Sequence, residues 1–324
     1  MKRGGTQYLL TGGTGSFGRA FVRNRLLAEA DCTIRIYSRD ELKQYEMEGE
    51  FRRDPRLRFF IGDVRDRQRL LRAMDGVDVV IHAAALKHVP LCEYNPAEAI
   101  KTNILGAQNI VDCAIDTRVP CTIALSTDKA ANPVNLYGAT KLCAEKLFVH
   151  GNSYAGSRDC SFSCVRYGNV VGSRGSVIPL FLKQAQTGVL TLTDERMTRF
   201  WLSLEQAVEF VMNSLQEMRG GEIFVPKIPS MRVIDLARAI APGADLKFIG
   251  VRPGEKLHEV LITENEAGEA REFPTYFIIS REKKRQNGKA IPEGFIYSSD
   301  KNTQWVDEAR LAELVDELKL SGTV

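Results

Sequence analysis

A glycine-rich turn near the N-terminus restricts the fold more than any other feature of the sequence. The apolar residues 8–10 lead into residues 11–18, Thr-Gly-Gly-Thr-Gly-Ser-Phe-Gly, and apolar side chains then recur at helical spacing over residues 21–27. Such glycines let backbone amides approach a pyrophosphate at the helix N-terminus, and the last one lets the helix pack closely on the strand. Strand, turn and helix in this order predict a dinucleotide-binding unit. The cofactor contacts expected in the turn are Gly12, Thr14, Gly15, Ser16, Phe17 and Gly18.

Further apolar runs alternate with helical patterns through the first half of the chain. A helix is expected over about residues 93–117, and buried strands are expected at residues 33–37, 57–61, 77–85, 121–125 and 160–167. This alternation predicts an α/β fold with a doubly wound parallel sheet, the Rossmann arrangement. We expect residues 1–168 to form this domain. Residues 169–324 are expected to form mainly a smaller substrate-binding lobe, with segments that return to the sheet.

The composition excludes several classes of function. The chain has 324 residues, 44% hydrophobic and 26% charged, with a net charge of +3. This charge is too small to favour nucleic acid or an anionic membrane as a partner, and no apolar run approaches the roughly 18 residues of a membrane span. The N-terminus leads into a strand without room for a signal peptide. Seven single cysteines and four histidines without ligand spacing argue against disulfides and a metal site, so we expect reduced thiols in a cytoplasmic protein.

The end of the second strand bears on the choice between NAD and NADP. An acidic residue at this position typically binds the ribose 2′-hydroxyl of NAD, whereas a basic residue accommodates the 2′-phosphate of NADP. Ser38 and Arg39 stand here, and Lys43 offers a second cation, so NADP is favoured. Asp40 follows closely and could cap the next helix instead of binding a ribose. NAD is the alternative.

Tyr137 and Lys141 are candidate proton-handling residues, because four residues apart they share one face of a helix. A tyrosine that acts as a base at neutral pH needs its phenolate favoured by roughly 3 pKa units, about 4 kcal/mol. A neighbouring ammonium and an oxidised nicotinamide both act in that direction. An ordinary surface Tyr–Lys pair is the alternative.

Thr127, Asp128 and Lys129 follow a buried strand at the sheet edge where open α/β sheets collect their ligands. Simple alcohol oxidation needs one base, which the Tyr–Lys pair can provide. The additional acid and potential base, Asp128 and Lys129, are not needed for that reaction. The set suits an oxidation followed by a second proton transfer.

Five motifs together resemble the extended short-chain dehydrogenase/reductase family: the glycine-rich turn, Thr127-Asp128-Lys129, Tyr137-x-x-x-Lys141, residues 166–169 (Arg-Tyr-Gly-Asn) and residues 252–256 (Arg-Pro-Gly-Glu-Lys). Within that family the chain resembles nucleotide-sugar dehydratases, in particular the soluble ones that invert C5 of UDP-N-acetylglucosamine. Retaining dehydratases usually have glutamate in place of Lys129, and longer membrane-attached relatives typically have methionine in place of Tyr137. Residues 38–43, 83–90 and 197–201 also fit the inverting subgroup, and the likeness covers about residues 7–262.

The resemblance implies a transient oxidation. Tyr137, with its pKa lowered by Lys141, takes the proton of the C4 hydroxyl while bound NADP accepts the hydride. Lys129, if neutral, removes the C5 proton, Asp128 protonates the departing C6 hydroxyl, and Thr127 positions the sugar. Return of the hydride to C6 and reprotonation of C5 from the opposite face give the inverted 4-keto-6-deoxy sugar, UDP-2-acetamido-2,6-dideoxy-β-L-arabino-hex-4-ulose.

A neutral Lys129 requires desolvation or a neighbouring cation such as Lys87. Lys87 is expected on a loop over the cofactor, where it also reaches substrate. The other cofactor contacts expected outside the turn are Asp63, Val64, Ala83, Ala85, Asn103 and Ser126. The resemblance places the UDP moiety among Asn169, Val177, Ile178, Pro179, Leu180, Phe181, Thr193, Arg199, Arg252 and Glu255. It also implies a first step in pseudaminic acid synthesis, or that of a related sugar, and a homo-oligomer.

Two other functions stay open. A UDP-sugar 4-epimerase shares the fold, the cofactor and the Tyr–Lys pair, but it needs no Asp–Lys pair after the strand. A regulatory protein that binds NADP without turnover usually lacks the tyrosine base, which Tyr137 supplies here.

Overall fold

The computed structural model describes residues 5–171, 177–281 and 287–320, and its centre is a ten-stranded sheet. The strands are β1 (Thr6–Thr11), β2 (Cys32–Ser38), β3 (Leu57–Ile61), β4 (Val79–His82), β5 (Cys121–Leu125), β6 (Ser161–Val165), β7 (Asn169–Val170), β8 (Val189–Leu192), β9 (Thr198–Leu202), β10 (Ile223–Pro226), β11 (Ser230–Arg232), β12 (Asp245–Phe248), β13 (Val260–Ile262), β14 (Ala270–Glu272), β15 (Tyr276–Ile279), β16 (Lys289–Ala290) and β17 (Tyr297–Ser298).

Seven neighbouring strands of this sheet are parallel, in the order β3-β2-β1-β4-β5-β6-β10. The strand order reverses between β1 and β4, which is where open α/β sheets bind ligands. Strands β15, β14 and β16 extend the β10 edge in antiparallel pairing. The predicted doubly wound parallel sheet is confirmed.

Helices cover the sheet and build the rest of the chain. They are α1 (Ser16–Ala28), α2 (Glu41–Glu50), α3 (Arg67–Met74), α4 (Val89–Tyr94), α5 (Pro96–Ile100), α6 (Gly106–Thr117), α7 (Leu136–Ala155), α8 (Val177–Ala185), α9 (Leu204–Glu217), α10 (Val233–Ile240) and α11 (Glu308–Leu320). Polar side chains start several of them: Asp40 caps α2, and Asn135 caps α7 by accepting from the Gly138 amide at 2.7 Å. The capping role that the sequence left open for Asp40 is confirmed.

The continuous helix expected over residues 93–117 is wrong. Asn95 interrupts it, because a residue before proline is disfavoured in the helical conformation and Pro96 follows. The chain continues through α5 and a π-helical turn, Lys101–Leu105, into α6. Such turns are frequent at functional sites, and this one carries Asn103.

The described residues form three clusters of buried apolar side chains, of which the two larger ones hold the molecule together. The larger one lies on both faces of the central sheet. The smaller one joins α8, β8, β9, β11, α10 and α11, and includes Phe181, Trp201 and Leu236. Because β10 and β14–β16 lie beyond residue 169 yet belong to the central sheet, the C-terminal half contributes to both clusters. Among the described residues, no helix has the length and apolar character of a membrane span.

Candidate active site

A cavity of about 1030 Å³ follows the carboxyl ends of the parallel strands, from the glycine-rich turn to the start of α7. It brings together most of the residues predicted from the sequence: Gly12, Thr14, Gly15, Ser16, Phe17, Ser38, Arg39, Asp40, Lys43, Asp63, Val64, Ala83, Ala85, Lys87, Ser126, Thr127, Lys129, Tyr137, Lys141, Asn169 and Glu255. Most of these residues follow strands that are far apart in sequence. The pairing of those strands in one sheet brings the residues together.

The glycine-rich turn has the shape of a phosphate cradle. Gly12 has a φ of +67°, and a Cβ there would lie 2.9 Å from the backbone of Ala84. The 13-residue helix α1 points its N-terminus at the cavity and has no acidic side chain in its first turn. Gly18 lies behind the cavity wall, where a Cβ would come 2.0 Å from the Gly13 carbonyl oxygen. The turn fits a dinucleotide pyrophosphate, with Gly18 serving helix packing.

Cations line the far end of the cavity, beyond β2. Arg39 Nη1 lies 3.6 Å from Asp63, and Lys43 Nζ lies 2.6 Å from Asp40. The Asp40 carboxylate also accepts the backbone N–H of Lys43 at 3.0 Å. The acid nearest the strand end is therefore engaged with α2, while Arg39 stays half exposed at the cavity.

The loop after β4 is fixed by Asn103. The Asn103 Oδ1 accepts from the Leu86 amide at 2.8 Å, and its Nδ2 donates to the Leu86 carbonyl at 2.9 Å and to Thr140 Oγ1 at 3.0 Å. Asn103 is not among the described residues that line the cavity, and its hydrogen bonds make it a support for this loop, while the expected cofactor contact stays a prediction. Lys87, the next residue, lines the cavity, where burial and the Lys129 charge lower its pKa.

A buried network supports the end of β5 from behind. Ser126 Oγ donates to Glu145 Oε1 at 2.5 Å. The fully buried Arg166 donates to both oxygens of Glu145 at 2.9 and 2.7 Å, and to both oxygens of Glu266 at 2.9 and 2.8 Å. A fifth hydrogen bond runs from Arg166 to the Leu261 carbonyl at 3.0 Å. This network connects Ser126, in the loop that follows β5, to the segment that contains Leu261 and Glu266.

Tyr137 and Lys141 lie in the first turns of α7, both buried and both lining the cavity. Lys141 Nζ donates to the Leu125 carbonyl at 2.7 Å, and burial lowers its pKa. Burial raises the pKa of Tyr137 to about 12, while Lys129 and then Thr127 act to lower it. The expectation that Lys141 lowers the pKa of Tyr137 is therefore corrected: in this structure the nearby ammonium with that effect belongs to Lys129.

Asp128, Lys129 and Glu259 form a compact charged cluster. Lys129 Nζ donates to Asp128 Oδ1 at 3.0 Å and lies 3.3 Å from Glu259 Oε1. Thr127 Oγ1 donates to the same Asp128 oxygen at 2.9 Å. Asp128 is fully buried, and burial raises its pKa although Lys129 opposes this shift. Within the described part of the chain, the other oxygens, Asp128 Oδ2 and Glu259 Oε2, are buried without a hydrogen-bond partner.

The charge state of Lys129 differs from the expected one. Burial disfavours its ammonium, but Asp128 and Glu259 outweigh burial and raise the pKa of Lys129 above its ordinary value. The condition of a neutral Lys129 is thus not met in the resting protein. The sequence suggested Lys87 as the neighbour that sets this pKa, whereas two carboxylates dominate.

Arg199 and part of α8 lie elsewhere than predicted. The Arg199 guanidinium donates to the carbonyls of Thr198, Leu257 and Lys256 at 2.7, 3.0 and 3.1 Å, so it clamps the loop before β13 instead of facing the cavity. Ile178 and Phe181 are 2% and 1% exposed within the smaller core. The remaining predicted substrate residues outside the cavity lining are Val177, Pro179, Leu180, Thr193 and Arg252.

Glu259 is the functional candidate that sequence reasoning missed. It lies 130 residues after Lys129, with no spacing that links the two, and it is 2% exposed. The only available signal was its place three residues after the Arg-Pro-Gly-Glu-Lys turn, within Lys256-Leu257-His258-Glu259.

Comparisons with known proteins agree with this geometry. A family described as "Polysaccharide biosynthesis protein" matches residues 8–281. A Campylobacter jejuni protein named UDP-N-acetylglucosamine 4,6-dehydratase (inverting) is 52% identical over 95% of this chain and 96% of its own. A Rickettsia conorii protein named UDP-glucose 4-epimerase is 44% identical over 84% and 82%.

A solved structure shares the fold at a greater distance. DesIV of Streptomyces venezuelae, a dTDP-glucose 4,6-dehydratase with NAD and TYD bound, is 26% identical with a TM-score of 0.69, over 78% of this chain and 87% of its own. The match to the family covers well over half of the chain and includes the glycine-rich turn and the Tyr–Lys pair. The chain therefore belongs to this polysaccharide-biosynthesis family of extended short-chain dehydrogenase/reductases.

Proposed function

We propose that the protein is a configuration-inverting UDP-N-acetylglucosamine 4,6-dehydratase with tightly bound NADP. The observation that carries the proposal is the cluster of Asp128, Lys129 and Glu259 next to Tyr137, at a cavity built for a dinucleotide. Oxidation of one hydroxyl needs one base, whereas elimination of water also needs an acid for the departing hydroxyl and a base for the carbon-bound proton. The Campylobacter relative carries this activity in its name.

The residues divide the proton transfers between them. A nicotinamide bound in the cavity would supply the hydride chemistry, with C4 as donor and C6 as final acceptor. Tyr137 takes the proton of the C4 hydroxyl as its phenolate. Burial favours the phenol in the cofactor-free protein, and the positive charge of Lys129, the Thr127 hydrogen bond and an oxidised nicotinamide all act toward the phenolate. Asp128 gives its proton to the C6 hydroxyl, which leaves as water; burial raises the pKa of Asp128, in the direction that this role as an acid requires.

Lys129 removes the C5 proton in this scheme. The new ketone at C4 makes that proton acidic, and Lys129 lines the cavity next to Asp128. Because Lys129 rests as an ammonium between two carboxylates, it has to lose a proton before it acts. C5 is then reprotonated from the opposite face, which gives the inverted product.

NADP is the proposed cofactor because Arg39 and Lys43 line the ribose end of the cavity and Asp40 is engaged with the start of α2. A guanidinium matches the geometry of a 2′-phosphate. NAD, the cofactor bound in the DesIV structure, stays the alternative.

The UDP moiety is proposed to lie at the other end, near Asn169 and Glu255, which line the cavity. Glu255 Oε2 is buried with no hydrogen-bond partner in residues 5–171, 177–281 and 287–320, and can accept a hydrogen bond from a ribose or sugar hydroxyl. Arg252 is half exposed 3.9 Å from Glu255, and can reach phosphate oxygens. The proposal keeps Val177, Pro179, Leu180 and Thr193 as substrate contacts.

The wider parts of the proposal follow from the same resemblance. They are a first step in the synthesis of pseudaminic acid or a related deoxy-amino sugar, a cytoplasmic homo-oligomer, and a chain divided near residue 168 into a cofactor-binding domain and a substrate-binding lobe. The smaller apolar core, built only from residues beyond 169, supports that division.

A time course in deuterated water tests the function. The wild-type chain is incubated with UDP-N-acetylglucosamine and followed by NMR and mass spectrometry. We expect loss of one water, deuterium at C5 and inverted C5 configuration, without a net requirement for added cofactor. A product of unchanged composition with only C4 inverted would overturn the dehydratase assignment.

That second result would instead support a 4-epimerase, which the Rickettsia relative favours by its name. The dehydratase is the better proposal because epimerisation at C4 gives no role to the buried Asp128 carboxyl. Tight NADP binding without turnover of any UDP-hexose would support a regulatory protein.

A further inference from the structure

Glu259 lies behind Lys129, which lines the cavity. Its Oε1 lies 3.3 Å from Lys129 Nζ, its side chain is buried, and its Oε2 has no hydrogen-bond partner among the residues that the structure describes. Its backbone N–H donates to Ser299 Oγ at 2.9 Å, which fixes the residue at the start of β13. A buried carboxylate held this firmly next to an ammonium is either a counter-ion or a proton acceptor.

The pKa values of the two carboxyl groups beside Lys129 are shifted in opposite directions. Asp128 is fully buried, and burial raises its pKa toward the protonated form. Burial also opposes the charge on Glu259, but Lys129, Arg199 and Lys256 outweigh it and keep the pKa of Glu259 below its ordinary value, so Glu259 rests as a carboxylate. Arg199 Nε lies 3.8 Å from Glu259 Oε1. Glu259 is therefore a carboxylate without a proton of its own, and the surrounding cations stabilise its charge at rest.

The proposed reaction requires Lys129 in two protonation states. Its positive charge favours the Tyr137 phenolate during oxidation at C4. Removal of the C5 proton requires the free amine. A proton therefore leaves Lys129 between these steps. In the proposed function Asp128 has to hold a proton for the C6 hydroxyl, so the proton of Lys129 needs another acceptor, and Glu259 is the second carboxyl group next to Lys129 Nζ.

We propose that Glu259 accepts this proton and thereby converts Lys129 into the base for C5, an inference that rests on the proposed function. One N–H bond of the ammonium breaks and one O–H bond forms on Glu259, with no change in oxidation state. The raised pKa of Lys129 and the lowered pKa of Glu259 favour the charged pair at rest, so the transfer waits until substrate excludes water and raises the cost of the two buried charges. Lys129 returns to the ammonium when it takes the C5 proton. It then passes a proton to Asp128, whose own proton left with the C6 hydroxyl, and takes one back from Glu259, so that all three groups regain their resting protonation. Glu259 is a positioning residue that acts through Lys129.

The test separates the two steps with Glu259→Gln, which keeps the size of the side chain but cannot accept a proton. Glu272→Gln is the matched control, because Glu272 pairs with Lys227 at 2.8 Å far from the cavity. The rate of oxidation at C4 is measured in a single turnover from the absorbance of reduced nicotinamide. The rate of proton removal at C5 is measured from deuterium incorporation. Thermal unfolding and NADP binding verify the fold of each variant.

We expect Glu259→Gln to keep C4 oxidation within about threefold and to lower deuterium incorporation at C5 by about 100-fold, the usual contribution of a proton-transfer group. Glu259→Asp should recover part of the C5 rate, and Glu272→Gln should match the wild type.

Three results would overturn the proposal. If Glu259 is only a counter-ion, Glu259→Gln lowers the pKa of Lys129, so C5 exchange persists or rises and its pH profile moves to lower pH. Equal losses in both steps, with a lower Tm, would show a structural role. A wild-type chain that exchanges and dehydrates nothing would overturn the proposed function and this assignment with it.

Discussion

The burial of Arg166 lets us predict how much free energy of unfolding the protein loses when this residue is replaced. Replacing it by methionine in Arg166→Met removes five hydrogen bonds and leaves Glu145 and Glu266 facing each other without a cation. Glu145 is 1% exposed, so water cannot compensate for the loss. Removing one partner from a buried ion pair typically costs about 3–5 kcal/mol, and we expect a loss in this range.

Urea unfolding at neutral pH, followed by circular dichroism, measures this loss as a shift of the midpoint at unchanged slope. The matched control is Arg196→Met, since Arg196 pairs with Asp194 at the same 2.8 Å but is 65% exposed. This exposed pair should contribute nothing measurable. The double variant Arg166→Met with Glu266→Gln removes one stranded carboxylate and should recover part of the loss.

The pH dependence gives a second check. Burial opposes ionisation of Glu266, but hydrogen bonds from Arg166 and its charge outweigh burial and lower the pKa of Glu266. Its contribution to stability is therefore present above the unfolded pKa of about 4.3 and is lost as the pH falls through the lower folded value. The difference between wild type and Arg166→Met should therefore narrow as the pH falls below about 4. Equal midpoints for Arg166→Met and Arg196→Met would refute the reasoning.

The other predictions concern the site. Tyr137→Phe should lower C4 oxidation at least about 100-fold and leave NADP binding unchanged, in single-turnover absorbance and fluorescence titrations. The ultraviolet difference between wild type and that variant should show Tyr137 titrating at about 12 in the cofactor-free chain. Asp128→Asn should keep deuterium exchange at C5 and lower water loss about 100-fold, by mass spectrometry of the product. Arg39→Ala should weaken NADP binding about tenfold and leave NAD binding unchanged, by fluorescence titration.

Local patterns made the cofactor half of the molecule predictable. The glycine-rich turn and the alternating apolar runs report strands and helices through short-range spacing, and the sheet order then follows from general rules of α/β folds. The cavity accordingly gathers nearly all of the expected cofactor residues. Gly18 and Asn103 are the exceptions. Gly18 packs against Gly13 behind the cavity wall, and the break at Asn95 and the π-helical turn direct the Asn103 amide to the Leu86 backbone.

The charged end of the site was less predictable for a physical reason. Whether Lys129 is charged depends on which carboxylates face it, and Glu259 reaches it only through the return of the chain at β13. Arg199 resembles a phosphate ligand in sequence, but its donors are taken by carbonyls of a loop more than 50 residues away. Pairing over such distances leaves no periodic trace in the sequence.

The large sequence separation between Arg166 and one of its partners also affects how the protein folds during synthesis. Its second carboxylate partner, Glu266, lies 100 residues further on, which a ribosome adding 5–20 residues per second delivers about 5–20 s later. During that interval the nascent Rossmann sheet lacks β10, β14 and β15 at one edge, and the guanidinium has only Glu145 as its counter-charge. The emerging chain therefore offers an open sheet edge to chaperones or to other nascent copies until its last quarter is synthesised.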